Sequence, residues 1–183
     1  MKIALYLGSF NPFHNGHLKV VETALKNFHM NGVVIVPSMQ NPWKKEKALD
    51  IHKRIQIINS YFTFWKKDSD VPDGYQLYTK KGISTTSIEE KLIPPYYSYA
   101  TLHALKNKYC NDEVFILCGE DTIKDIPDWM NGEQIIKDYD FLIVDRPKNS
   151  ISSTEIRNKV KKGEDISKYV NENVIDLIKN YYK

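Results

Sequence analysis

The chain has 183 residues, 42% of them hydrophobic and 12% aromatic, with 26 basic and 23 acidic side chains and a net charge of +3. That composition excludes a disordered chain, and the small basic excess suits small anionic ligands while falling short of a nucleic-acid footprint. One domain over 1–183 is expected, long enough to bury about 70% of its unfolded surface.

The first apolar run, 2–7, reads as a β-strand. Directly after it comes Gly8-Ser9-Phe10-Asn11-Pro12-Phe13-His14-Asn15-Gly16-His17. Over 17–29, Leu18, Val21, Leu25 and Phe28 recur at helical spacing. A Gly-bearing turn between strand and helix is where α/β proteins hold phosphates, because backbone N–H groups and the helix dipole converge there. Two imidazoles three residues apart, His14 and His17, can face one ligand from the loop and the first helical turn.

Further along, 32–36 reads as a strand and 50–61 as a helix, on which Arg54 is taken as a surface or salt-bridging residue. Residues 66–98 carry little pattern beyond a turn-rich stretch at 68–74, a candidate strand at 75–78 and the turn Ile93-Pro94-Pro95-Tyr96. Then come a helix over 99–108, a strand over 114–117, a helix over 132–139 and a strand over 141–144. Val170, Val174, Leu177, Ile178 and Tyr181 form a stripe suited to a last helix packing back on the body. Strands alternating with helices predict an α/β, Rossmann-like, doubly wound parallel sheet with right-handed crossovers.

The two cysteines, Cys110 and Cys118, match no zinc or redox spacing and make no disulfide framework. A cytoplasmic setting is the expectation, since the first strand starts at once and no apolar run approaches the ~20 residues needed to cross a bilayer. His29, His52 and His103 belong to no motif and read as structural or exposed.

Two common phosphate motifs are missing: no G-x-x-x-x-G-K-[ST] occurs, and the first turn lacks G-x-G-x-x-G. No acidic or His/Cys cluster has metal-site spacing, so no protein-held metal is expected. The chain offers instead a late motif, Ile151-Ser152-Ser153-Thr154-Glu155-Ile156-Arg157. Ser152 and Glu155 fit a capping box, so Thr154 and Arg157 fall within the first two turns of a helix. A helix start bearing two hydroxyls and a guanidinium is a second anion site; taken alone it reads equally well as a capped helix with an exposed Arg.

The pairing of H-x-G-H with I-S-S-T-x-x-R resembles the nucleotidylyltransferase superfamily, and within it the nicotinate (or nicotinamide) mononucleotide adenylyltransferases. Val36-Pro37-Ser38 with Asn41-Pro42-Trp43-Lys44 resembles that family's V-P-x-x-x-P-P-H-K loop. Tyr97-Ser98-Tyr99-Ala100-Thr101-Leu102 resembles its S-Y-T-x-D-T-L stretch. Cys118-Gly119-Glu120-Asp121 with Trp129 resembles its G-x-D…W segment, followed by a strand ending Asp145-Arg146-Pro147. Departures are Asn11 for the usual Asp, Trp43 for the His of P-P-H-K, and Tyr99 and Ala100 within the S-Y-T-x-D-T-L element.

The resemblance implies adenylyl transfer from ATP to a pyridine mononucleotide, with release of pyrophosphate. It implies catalytic roles for His14, His17 and Arg157, and ATP contacts by Gly8, Ser9, Phe10, Lys44, Gly119, Asp121, Ser153 and Thr154. Thr101 and Trp129 would take the mononucleotide, and Mg²⁺ would enter on the ATP phosphates. No nucleic acid or membrane partner is implied, while self-association is. A sister enzyme with another acceptor such as phosphopantetheine or with CTP as donor, a non-catalytic dinucleotide sensor, and a nucleic-acid-binding module are the rival readings.

Overall fold

Alternation along the first strand sets the architecture. Successive side chains of a strand point to opposite faces, and β1 (Lys2–Gly8) sends Ala4 and Tyr6 to one cluster and Ile3 and Leu5 to another. The computed structural model describes residues 1–40, 46–62, 75–78, 82–145 and 151–183. Within them β2 (Gly32–Pro37), β3 (Tyr75–Tyr78), β4 (Ile83–Thr86), β5 (Glu113–Gly119) and β6 (Asp140–Val144) join β1 in a sheet of order β3-β4-β2-β1-β5-β6. Every pairing is parallel except β3 with β4.

The helices are α1 (Asn15–Lys26), α2 (Ile51–Ser60), α3 (Ser98–Lys108), α4 (Glu120–Asp125), α5 (Gly132–Asp138), α6 (Ser153–Lys161) and α7 (Ile175–Tyr182). Val20, Val21 and Ala24 of α1, Ile57 and Ile58 of α2, Ile156 and Val160 of α6, and Ile178 of α7 pack on the Ala4–Tyr6 face. Leu102 and Leu105 of α3 and Ile135 of α5 pack with Ile3 and Leu5 on the other. Truncating one of these buried Ile or Leu side chains to Ala would cost about 2–5 kcal/mol, so the sheet is held from both sides.

Five of the strands and the main helices lie where the sequence pattern puts them, with α1 and α3 starting a residue or two earlier. The strand β4 was not foreseen. Its sequence, Ile83-Ser84-Thr85-Thr86, carries no apolar run, yet all four residues are buried between β2 and β3. The two threonine hydroxyls have partners: Thr85 donates to Asn59 Oδ1 at 3.1 Å, and Thr86 Oγ1 accepts from the Ile88 N–H at 3.2 Å. The Asn41-Pro42-Trp43-Lys44 element, the 68–74 turn and Arg146-Pro147 lie outside the described residues. No helix among the described residues is long and apolar enough to cross a membrane.

Because β1 pairs β2 on one side and β5 on the other, the chain reverses its winding at β1. In open α/β sheets ligands bind outside the carboxyl ends of the strands at such a switch point. Tyr6 pairs with Leu117, so Gly8 and Gly119, each two residues on, stand level at the ends of β1 and β5.

Candidate active site

The turn leaving β1 folds an aromatic side chain back over the strand end. A Cβ on Gly8 would sit 2.9 Å from the Phe10 ring, so only glycine lets that ring lie there. Phe10 meets both Tyr6 and His17 edge-on, at 5.0 Å between centroids in each case. His17 is also flanked by Phe13 at 5.3 Å and by His14 at 3.8 Å.

The two imidazoles form the cap of α1. His14 Nδ1 accepts from the Gly16 N–H at 3.1 Å, and His17 Nδ1 accepts from the His14 N–H at 3.2 Å. A neutral ring that accepts at Nδ1 carries its proton on Nε2. Both rings are thereby set as Nε2–H donors at a helix N-terminus. Gly16 belongs to this device, because a Cβ there would fall 2.9 Å from His14 Cε1. Both histidines are buried, so their orientation is fixed by packing as well as by the caps.

The start of α6 is pinned to the same turn. Ser152 and Glu155 form the expected capping box, with Ser152 Oγ accepting from the Glu155 N–H at 3.2 Å and Glu155 Oε2 accepting from the Ser152 N–H at 2.7 Å. The Ser152 N–H and the Ser152 hydroxyl, which also donates to Glu155 Oε2 at 2.7 Å, hold the Glu155 carboxyl below its ordinary pKa. Ser153 Oγ donates to the Pro12 carbonyl at 2.9 Å, which spends on the loop the hydroxyl proton expected to serve an anion. Arg157 Nη1 donates to the Asn11 carbonyl at 2.7 Å; its Nη2 reaches Glu46 Oε2 at 2.7 Å and Thr154 Oγ1 at 3.3 Å. Arg157 of α6 is therefore tied to the loop that leads into the two histidines.

The C-terminal segment braces that loop from behind. Tyr182 donates to Asn11 Oδ1 at 2.6 Å, the Leu49 N–H reaches the same oxygen at 3.2 Å, and the Asn15 N–H donates to the Tyr169 carbonyl at 2.9 Å. Burial pushes the Tyr182 hydroxyl well above its ordinary pKa, so it stays a donor. An amide oxygen at Asn11 does the accepting here, which is why the departure from Asp leaves the turn intact.

One expectation needs correction. Arg54 is not a surface residue: it is fully buried and donates to four backbone carbonyls. Nε reaches Leu49 O at 2.6 Å, Nη1 reaches Ser9 O and Ser38 O at 2.7 Å each, and Nη2 reaches Met39 O at 3.3 Å. Burial lowers its pKa, while Tyr182, Glu89 and Asp50 oppose that shift. The signal was in the sequence, since Arg54 shares the helical face of Ile51, Ile57 and Ile58. Thr101, expected beside the mononucleotide, is likewise fully buried, and its hydroxyl donates to Glu89 Oε1 at 2.8 Å. Glu89 was not singled out from sequence; burial raises its pKa, against hydrogen bonds from Met39 and Thr101 and the charge of Arg54.

Gly119 caps α4, Asp121 lies exposed in the first turn of that helix, and Trp129 is half-buried beside the Ile126 cluster. Lys44 lies outside the described residues. Among the described residues no group of three or more His, Cys, Asp or Glu side chains could hold a metal ion. The donor set of imidazole N–H, guanidinium and amide N–H fits an anion, so a divalent ion would have to arrive on the ligand's own phosphates. A cavity of about 490 Å³ lies between Leu18, Leu25, Phe62 and Ile83.

A doubly wound sheet with paired imidazole donors at its switch point defines a class, the α/β folds that handle nucleotide phosphates. Residues 5–159 match the family described as Cytidylyltransferase-like. The "Probable nicotinate-nucleotide adenylyltransferase" of Fusobacterium nucleatum is 35% identical, covering 100% of this chain and 99% of its own; the protein of that name from Flavobacterium johnsoniae is 32% identical with 100% of both covered. The solved Plasmodium falciparum nicotinic acid mononucleotide adenylyltransferase complexed with NaAD shares the fold, with a TM-score of 0.74, 22% identity, and 98% of this chain and 95% of that one covered. The chain belongs to the Cytidylyltransferase-like family and, within it, to the nicotinate-nucleotide adenylyltransferases; it is a nucleotidyltransferase.

Proposed function

We propose that this enzyme joins ATP to nicotinate mononucleotide, releasing pyrophosphate and forming the dinucleotide used in NAD synthesis. The observation that carries the reading is that Arg157 of α6 hydrogen-bonds the loop after β1, which leads directly into the packed His14 and His17.

The mononucleotide phosphate is the nucleophile. Its second pKa is near ~6, so at neutral pH the attacking oxygen is already ionised and no general base is required. One of its oxygens forms a bond to the α-phosphorus as the bond to the β-phosphate bridging oxygen breaks, and pyrophosphate leaves with the electron pair. The protein's work is to bring two polyanions together and to stabilise charge gathering around phosphorus. His17 Nε2–H serves the α-phosphate and His14 the neighbouring oxygens, strengthening as negative charge grows.

Arg157 and the start of α6 take the departing pyrophosphate. The capping box uses the Glu155 N–H, which leaves the Ser153 and Thr154 amides of the helix start for phosphate oxygens. Lys44 adds a cation to the triphosphate. Mg²⁺ bound to the phosphates supplies charge neutralisation. Gly119 admits the adenosine close to the backbone beside Asp121, and Trp129 stacks on the cationic pyridine ring.

Pyrophosphate release with ATP and Mg²⁺ plus nicotinate mononucleotide, nicotinamide mononucleotide or phosphopantetheine tests the reading. Turnover with nicotinate mononucleotide is expected. Turnover with phosphopantetheine alone, or dinucleotide binding without turnover, would refute it.

A further inference from the structure

One chain of buried and half-buried hydrogen bonds runs from the proposed phosphate loop to the start of α3, the segment that resembles the family's S-Y-T-x-D-T-L stretch. It starts at the Ser9 carbonyl after β1. Arg54 Nη1 holds that oxygen and the Ser38 carbonyl after β2 together, both at 2.7 Å. Arg54 Nη2 takes the Met39 carbonyl, and the N–H of the same Met39 donates to Glu89 Oε2 at 2.6 Å. The other oxygen of Glu89 takes the hydroxyl of Thr101, in the first turn of α3. Met39 is thus gripped through its carbonyl by a buried cation and through its N–H by a buried anion.

Core packing gives no reason for this pair. Arg54 and Glu89 are joined through the Met39 backbone and not by a direct salt bridge, and burying two charges costs desolvation that packing alone does not repay, so their presence argues for geometry before stability. Only a guanidinium has donors forked at fixed angles to hold several carbonyls at once, and a lysine ammonium presents a single point. Arg54 and Glu89 are 0% and 3% exposed, so neither is available to bind a nucleotide itself.

We propose that Arg54 and Glu89 are positioning residues that fix the spacing between the ATP and mononucleotide half-sites, with Met39 as the joint and Thr101 as the anchor on α3. The proposal rests on the adenylyl-transfer reading. Neither residue touches substrate; both act through the backbone of the loops after β1 and β2 and through the α3 start.

The test measures kcat, KM for ATP, KM for nicotinate mononucleotide and Tm for Arg54→Lys, Glu89→Gln, Thr101→Val and Thr101→Ser in the full chain. Misplacing a half-site by about 1 Å can cost on the order of 100-fold in rate, and Arg54→Lys is expected to approach that in kcat/KM for both substrates. Thr101→Val, which removes one hydroxyl without loss of bulk, should raise KM for the mononucleotide more than KM for ATP, and Thr101→Ser should restore wild-type values. Lowered Tm or active fraction with both KM values unchanged across the series would overturn the proposal, leaving the network a packing feature. Should Arg54→Lys fail to fold, the Thr101 pair decides on its own. If wild type makes no dinucleotide, the adenylyl-transfer reading fails; the strut is then judged by Kd for ATP, and Kd values unchanged in Glu89→Gln and Thr101→Val overturn it.

Discussion

Replacing Gly16 by Ala separates the histidine device from the stability of the helix that carries it. The added methyl would lie 2.9 Å from His14 Cε1 and 3.0 Å from Nδ1, both under the ordinary van der Waals limit. The imidazole must move, and with it the cap from the Gly16 N–H is stretched or lost. Losing such a cap costs about 1 kcal/mol. Gly→Ala in a helix returns up to about 1 kcal/mol, so the two effects nearly cancel and Tm should hardly change. Catalysis has no such compensation. A donor displaced by a fraction of an ångström in a preorganised site loses much of its worth, and kcat should fall by about 10²-fold. The assay is pyrophosphate release with saturating ATP and nicotinate mononucleotide, alongside thermal melts. A variant that melts like wild type and keeps kcat within about twofold, or ~0.4 kcal/mol of barrier, would refute the view that the His14 ring is held for catalysis.

Other outcomes follow from the same geometry. His17→Ala should lower kcat by about 10²–10³, the value of one transition-state donor, and an unchanged kcat would show that His17 only caps α1. Glu46 is 61% exposed and holds Arg157 Nη2 at 2.7 Å; on the proposed reading it would compete with a phosphate for that group. Such exposed pairs are worth at most ~1 kcal/mol, so Glu46→Gln should lower KM for ATP by up to about fivefold; a rise in KM would mean that the carboxylate positions Arg157. Glu89 has its pKa raised above 4.5 by burial, so just above pH 4.5 the folded state binds more protons than the unfolded state. This group's contribution therefore makes stability fall as pH rises through that window, and Glu89→Gln should remove that slope from melts taken across it. An unchanged slope would show that Glu89 does not titrate there.

How much of this is legible in the sequence depends on which force shaped each residue. The sheet and its crossovers were readable because burial on both faces writes itself as short apolar runs, as in Val33–Val36. The α6 capping box was readable because its partners lie three residues apart, within the reach of a local pattern. The strand β4 was not, since its threonine hydroxyls find partners in Asn59 and a neighbouring backbone N–H, and nothing in Ser84-Thr85-Thr86 announces a buried location.

The histidines were found by motif, but their state was not. Only the cap geometry shows that Nδ1 of each ring is occupied by a backbone N–H and that the proton must sit on Nε2. Arg54 marks the boundary most sharply. A helical wheel places it among Ile51, Ile57 and Ile58, and a charge on an apolar face demands either exposure or a set of partners. The partners are carbonyls of Ser9, Ser38, Met39 and Leu49, groups that every residue carries and that sequence cannot distinguish. A buried cation whose ligands are all main chain is therefore visible from sequence only as an anomaly. Its resolution here is a loop shape, because four carbonyls turned toward one guanidinium leave the ends of β1 and β2 little freedom to move apart.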